Sequence, residues 1–390
     1  MDKQHNENVS DRGSPTGAAR LKVLIVGGGV GGMSTAIALS RIGVATELID
    51  NNLNWGALGA GITITGPTLR AFRDLGVLDE LMTHAYTGAG IRVCTPQGET
   101  LKLLDTPMPR HMDVPGSGGV SRPWLHDILA CRLNAGGTPV RLGITVDALV
   151  QHDDGVDVTF SDGSHGRYGL VIGADGVNSR VRSFIIPDAP KPDYTGQYAW
   201  RVTVPRPPEV DCRIYFLGGP HKVGLTPTSA HDMYMFVLEK SPKMWREANQ
   251  LRKPLQQLLE SYGGIIGKIR DALTDNDNIN FRPLEGFVLP APWYRGRVLL
   301  LGDSAHPTTP QLASGAGMAV EDALVLEDEL RRSAFDVPQA LAAYMARREP
   351  RCRLIVDGSM EIGRLEQARA PVEQQTAVVQ RTLAALTEPI

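Results

Sequence analysis

Six residues, Gly27-Gly28-Gly29-Val30-Gly31-Gly32, constrain this chain more than any others. They follow an apolar run, Lys22 to Val26, and precede small residues, Met33 to Arg41. The first run reads as a buried strand and the second as a helix. A strand, a GxGxxG turn and a helix in that order bring main chain against a pyrophosphate. Gly27 permits the tight turn, Gly29 lets a phosphate touch the backbone, and Gly32 lets the helix pack on the strand. The helix start, at Val30 and Gly31, offers free N–H groups and about half a positive charge. A second strand, Ala45 to Asp50, completes a βαβ unit. It ends in a carboxylate placed for the ribose hydroxyls. The alternative is a glycine-rich turn that binds nothing. The turn by itself does not separate FAD from NAD.

Later segments bear on that choice. The run Val298-Leu299-Leu300-Leu301-Gly302-Asp303 puts an acid directly beyond a buried strand, where it could hold the ribityl hydroxyls of a flavin. Gly315-Ala316-Gly317-Met318 then opens a helix. Its free N–H groups could meet the flavin pyrimidine edge and stabilise negative charge on the reduced ring. Between these regions, a strand at Leu170 to Ile172 ends in Gly173-Ala174-Asp175-Gly176 and continues as Val177-Asn178-Ser179-Arg180-Val181-Arg182.

Those three motifs, in that order, resemble the flavoprotein aromatic hydroxylases, the group containing hydroxybenzoate, salicylate and hydroxynicotinate hydroxylases. Gly59-Ala60-Gly61-Ile62, Ser121-Arg122-Pro123-Trp124-Leu125-His126 and Tyr344-Met345-Ala346-Arg347-Arg348 agree with it, and the matches run from about residue 21 to 350. The resemblance implies an α/β fold. A Rossmann-like FAD-binding domain of the glutathione-reductase type, as in hydroxybenzoate hydroxylase, would carry an inserted antiparallel β-sheet substrate domain and a C-terminal helical tail.

It also implies roles. Arg122 would contact the FAD diphosphate or ribityl chain. Asp175 would serve the pyrophosphate region and the incoming nicotinamide nucleotide. Asp303 would bind the ribityl chain, and Pro310 would lie against the flavin near the reacting carbon. Gly61 and Val146 join the cofactor set. The simpler readings are a surface ion pair for Arg122 and a helix cap for Asp175.

FAD would be bound non-covalently. The single dinucleotide turn leaves NADH or NADPH without a Rossmann domain of its own, and the resemblance implies that it visits transiently and that O2 is the co-substrate. A C4a-hydroperoxide of the flavin would transfer oxygen to a small phenolic or heteroaromatic ring, with or without a carboxylate. On the β-rich insert, Arg201, Tyr215, His221, Lys222 and Tyr234 are the substrate-site candidates. His221 falls near a histidine of hydroxynicotinate hydroxylase. Lys222 and Tyr234 fall near an Arg and a Tyr of the flavin-dependent urate hydroxylase, although Lys cannot reproduce a bidentate clamp. The plainer alternative makes Arg201 and Lys222 solvated strand residues and the aromatics core.

The expected organisation is a disordered leader over 1–20, an FAD-binding domain from 21–89, 120–188 and 283–335, a β-rich substrate domain from 90–119 and 189–282, and a helical region over 336–390. Helices are expected over Pro67 to Leu81, Pro123 to Leu133, Met244 to Tyr262 and Met318 to Arg332. A hairpin is expected about Asp153-Asp154-Gly155. At 390 residues, two cores or one composite core are required.

A formal charge of −3 argues against nucleic acid or an anionic membrane as main partner. No run approaches the roughly 18–20 apolar residues of a membrane span. Four scattered cysteines without CxxC spacing read as reduced thiols, so the protein is expected to be soluble and cytoplasmic. His84, His111 and His126 show no metal spacing. The helical tail could support a homodimer. Competing readings keep the fold but change the reaction, to a halogenase, a prenyl reductase or a Baeyer–Villiger-type enzyme, or make the chain a non-catalytic flavoprotein. The WxWxIP stretch of halogenases is missing from the sequence.

Overall fold

The computed structural model describes residues 21–56, 59–106 and 116–390; the expected leader and His111 lie outside them. A six-stranded sheet forms the first layer, in the order Tyr294–Arg295, Val298–Leu300, Leu170–Gly173, Lys22–Val26, Ala45–Asp50, Val140–Leu142. All neighbours pair in parallel except the short edge strand Tyr294–Arg295. Parallel strands are covered on both faces, which explains the unbroken apolar run: Val23, Leu24 and Ile25 are fully buried. Lys22–Val26 stands at the switch point, with chain neighbour Ala45–Asp50 on one side and the distant Leu170–Gly173 on the other. A crevice opens at the carboxyl ends of such strands.

Helix Val30–Arg41 buries every residue from Gly32 to Leu39. It is pressed between the sheet and the helices Gly315–Arg332 and Arg122–Ala135, so its residues have to be small. The segment expected as one helix from Pro67 to Leu81 is two, Gly66–Leu75 and Leu78–His84. Gly76 separates them with φ +82°, a left-handed cap that other residues rarely adopt.

The second layer is a seven-stranded sheet, ordered Asn280–Gly286, Asp193–Pro205, Asp232–Lys240, Lys222–Pro227, Arg213–Phe216, Ile91–Cys94, Thr100–Leu104. It is antiparallel except where Arg213–Phe216 meets Ile91–Cys94 in parallel, a departure from the all-antiparallel expectation. Ser117–Ser121 is not part of it; that strand pairs with Gly61–Thr65 and Tyr86–Gly88 in a separate small sheet.

Alternate residues of the seven-stranded sheet point to opposite faces. Trp200, Val202, Ile214, Phe216, Val223, Leu225, Met233, Met235 and Val237 pack one face against Arg252–Leu258 and Gly264–Ala272. Only the first of these, with a 3-10 turn at Ala248–Gln250, falls within the single helix expected over Met244 to Tyr262. The hydroxyl of Tyr198 holds both the N–H and the carbonyl of Met244, keeping that stretch out of a helix, and Gly264 at φ +54° opens the next one. The expected hairpin forms as Val146–Gln151 with Val156–Phe160, extended by His165–Tyr168. The tail is helical, Val337–Gln367 and Val372–Thr387. Among the described residues, no helix is long and apolar enough to cross a membrane.

Candidate active site

The glycine turn is shaped from both sides. A Cβ on Gly27 would lie 2.3 Å from the Ala174 carbonyl oxygen, and one on Gly32 would lie 1.8 Å from that of Gly27. A Cβ on Gly29 would meet no atom within 4 Å. Gly27 and Gly32 are therefore fixed by packing, whereas Gly29 faces open space. Asp50 accepts the Gly28 N–H at 2.7 Å and the Asn52 N–H at 2.8 Å, which pins the acid beside the turn. It does not line the main cavity.

That cavity, of about 540 Å³, is bounded by the crevice on one wall and the seven-stranded sheet on the other. Of the residues proposed from the sequence, Gly29, Val30, Gly31, Gly61, Arg122, Gly302, Asp303, Pro310, Gly315 and Ala316 line the crevice wall. Arg122 has no ion-pair or hydrogen-bond partner among the described residues. Asp303 is exposed to the cavity yet walled in, and burial holds its carboxyl above the usual range despite the opposing charges of His306 and Arg122. Gly315 and Ala316 lie in the first turn of Gly315–Arg332, where N–H groups lack helical acceptors. A cradle that a Cβ would fill, a free guanidinium, a free carboxylate and a helix N-terminus on one wall match the phosphates, ribityl hydroxyls and ring edge of FAD.

Four other residues of the expected cofactor set do not line the cavity. Met318 donates its N–H to the Ser314 carbonyl at 2.9 Å, so it is already inside the helix ladder. Gly317 turns away, where a Cβ would strike the Thr68 hydroxyl at 2.5 Å. Asp175 accepts from the Ser179 and Ser304 hydroxyls and from the Arg180 and Val181 N–H groups, at 2.5 to 3.1 Å. Its carboxylate caps the helix Arg180–Ile185 and ties the two motif loops together, and it does not line the cavity. Val146 is fully buried in the apolar core, leaving only its backbone for any ligand.

Behind Asp303 lies a cluster that sequence reasoning missed. Asp322, fully buried, accepts the Gly302 N–H at 2.8 Å, the Arg348 Nε at 2.7 Å and the His306 Nε2 at 2.8 Å. Burial alone would raise its pKa, but the His306 and Arg348 charges and these hydrogen bonds hold it well below the usual range. His306 is held above its usual value: burial opposes this, and Cys352 and Asp322 prevail. His306, Asp322 and Cys352 also lie within metal-ligand reach of one another, but the Arg348 guanidinium already bonds both Asp322 and Cys352. Glu321, beside it on the helix, takes Arg348 at 2.9 Å and Arg351 at 2.8 Å. The loop carrying Asp303 is thus pinned by charges that are all paired.

On the opposite wall stand the sequence candidates Arg201, Tyr215, Lys222 and Tyr234, together with Arg213, Phe236, Leu238 and Arg282, which the sequence reading did not single out. Tyr234 shares a 2.5 Å hydrogen bond with the Thr63 hydroxyl. The Lys222 ammonium meets Glu366 at 2.5 Å, a partner from the long C-terminal helix. Arg201 has no hydrogen-bond or ion-pair partner among the described residues. Burial, then the like charge of Arg122, disfavours its cationic form, while Tyr234 favours it. His221 lies off this wall. Its strand starts at Lys222, so it stands one residue earlier, beside a separate cleft with Glu239 and Arg246. The missed residues carried a signal: Phe236 and Leu238 continue the every-second-residue face that begins at Tyr234.

The FAD binding domain family model matches residues 20–359. The chain belongs to that family. It is 31% identical over 366 residues to the 2-heptyl-3-hydroxy-4(1H)-quinolone synthase of Pseudomonas aeruginosa, covering 90% of this chain and 91% of that one. It is 31% identical over 351 residues to the aurachin C monooxygenase/isomerase of Stigmatella aurantiaca, covering 89% and 90%. A crystal structure of a single-residue variant of Klebsiella pneumoniae HpxO complexed with FAD superimposes with a TM-score of 0.78 at 25% identity, covering 95% of each chain. The family member is accordingly an FAD-dependent monooxygenase with the hydroxybenzoate hydroxylase fold.

Proposed function

We propose that this monooxygenase hydroxylates a small phenolic or heteroaromatic substrate with NADH or NADPH and O2. The observation that carries the reading is that flavin-type contacts and the sheet's substrate-type contacts line one continuous cavity. Bound FAD would supply the redox chemistry, accepting a hydride from the nicotinamide and delivering one oxygen atom of O2 to the ring.

The protein's share is position, dryness and charge. Arg122 would hold the diphosphate or ribityl chain, and Asp303 would accept ribityl hydroxyl protons in hydrogen bonds. The N–H groups at Gly315 and Ala316 would face the pyrimidine edge and favour negative charge there. Pro310 and Leu301 give the ring apolar walls, while Tyr234, Phe236 and Leu238 exclude water from the opposite side. The test is to purify the yellow protein and screen hydroxybenzoates, hydroxypyridines and purines for faster NAD(P)H oxidation. Hydroxylated product and peroxide would be measured together. Stimulated oxidation with product supports the reading. Bound FAD without stimulation by any small aromatic supports a non-catalytic flavoprotein instead.

A further inference from the structure

A second cleft, of about 420 Å³, opens on the reverse face of the seven-stranded sheet. Three pairs of consecutive residues show how the sheet is shared between the two spaces. Arg201, Lys222 and Leu238 line the main cavity, while their chain neighbours Trp200, His221 and Glu239 face the other way. The far wall of the cleft is the helix Arg252–Leu258, which presents Pro254 and Leu258 one turn apart.

One indole sets out the charged groups of this cleft. Trp200 is fully buried and donates its Nε1 to one carboxylate oxygen of Glu239 at 2.8 Å. The Arg246 guanidinium lies over the same ring, 5.7 Å from its centroid, and 5.8 Å from that of Phe281. Such contacts hold a guanidinium in place without using its N–H groups. The Arg246 Nε is buried with no hydrogen-bond partner, and the guanidinium has no ion pair among the described residues. The second oxygen of Glu239 is likewise unclaimed among them. Two opposite charges thus share one cleft, each held by Trp200, and do not bond each other. The His221 backbone is tied at both its N–H and its carbonyl to the Tyr262 hydroxyl. Burial, opposed by Glu239 and aided by Arg369, keeps the His221 ring below its usual pKa, so at neutral pH it is an uncharged hydrogen-bonding group.

Glu260 adds an exposed carboxylate at the rim. With two acids to one guanidinium, a plain anion is a poor match for the cleft. A ligand that brings an anion for Arg246 and a cation for Glu239 satisfies both at once. We infer that the cleft is a binding site for a free aliphatic α-amino acid. Its carboxylate would take the Arg246 N–H groups, its ammonium would donate to the open oxygen of Glu239, and its side chain would lie on Pro254 and Leu258. The site is separate from the main cavity, and the inference does not depend on the hydroxylase reading.

Titration calorimetry of the FAD-loaded protein tests this. The probes are L-leucine, 4-methylpentanoate (the same skeleton without the ammonium) and L-leucinamide, in which a neutral amide replaces the carboxylate. L-Leucine should bind more tightly than either analogue by about 10- to 100-fold, the value of a charge-assisted hydrogen bond. In R246M its advantage over leucinamide should vanish, with FAD content unchanged, and R246K should restore part of it. In E239Q its advantage over 4-methylpentanoate should vanish instead. Glutamine keeps an acceptor for the Trp200 Nε1, so E239Q removes the charge and leaves the packing. Leucine no tighter than both analogues, or no heat from any of the three at millimolar concentration, overturns the inference. So does an advantage that survives both variants, which would place the amino acid elsewhere on the protein. None of these outcomes bears on whether an aromatic compound stimulates NAD(P)H oxidation.

Discussion

Two groups of charges lie on either side of the cofactor loop, and they are built on opposite plans. Behind the loop, Asp322, His306, Arg348 and Glu321 are buried and, with the half-buried Arg351, mutually bonded. In front of it, Arg122, Asp303 and Arg201 face the cavity without protein partners among the described residues. A buried charge that is paired on every side fixes geometry, and removing one member leaves the others stranded. A cavity charge left without a partner is costly in the empty protein and is matched only when ligand arrives. The paired set holds the fold, and the unpaired set belongs to the proposed site.

The comparison breaks most visibly at Asp322. Asp322→Asn should destabilise the protein by about 3–5 kcal/mol in chemical denaturation, because Arg348 and His306 lose their common counter-charge. An unchanged midpoint would mean that the cluster is not what holds the loop. In front, Asp303→Ala should weaken FAD binding by about 10- to 100-fold, measured by fluorescence titration of apoprotein, with the fold intact. Arg201→Met should do the reverse of the Asp322 change and stabilise the apoprotein by about 0.5–2 kcal/mol, since an uncompensated charge is removed from a functional site.

The Asp303 carboxyl sharpens the contrast through pH. Its folded pKa is raised by burial, so the folded state holds that proton more tightly than the unfolded chain does. Its contribution to apoprotein stability is therefore full below the ordinary Asp range and is lost as pH rises through the raised value. Asp303→Asn should flatten that part of the stability profile, and a profile of unchanged slope would remove the assignment. The smallest effect is expected at His221, outside both groups. His221→Ala should leave FAD affinity unchanged and alter stability by less than about 1 kcal/mol.

Much of the crevice wall was legible in the sequence because backbone requirements appear as glycine. Gly27, Gly29, Gly31 and Gly32 mark where main chain approaches main chain or ligand, and the surrounding strand and helix set the register. Asp303 and Arg122 were legible because they sit at fixed offsets from such turns. Asp175 shows the limit. Its motif was visible, but its hydrogen bonds to Ser179 and Ser304 turn the carboxylate inward. The sheet wall was harder to read. Arg201, Tyr215, Lys222 and Tyr234 were singled out by type, but their neighbours Phe236 and Arg213 were not, because strand register is set by partners far along the chain.

The sequence by itself determined the βαβ start, the cofactor turn, the acid loop and the helical tail. Each depends on residues close together in the chain, where φ, ψ and side-chain period act locally. Only the tertiary structure decided that Arg201, Phe236, Gly224 and Tyr215 form one row across the sheet, that Glu366 neutralises Lys222, and that Asp322 secures the Asp303 loop. Those pairings join segments many residues apart, and the choice among them is made by packing and charge in the closed fold.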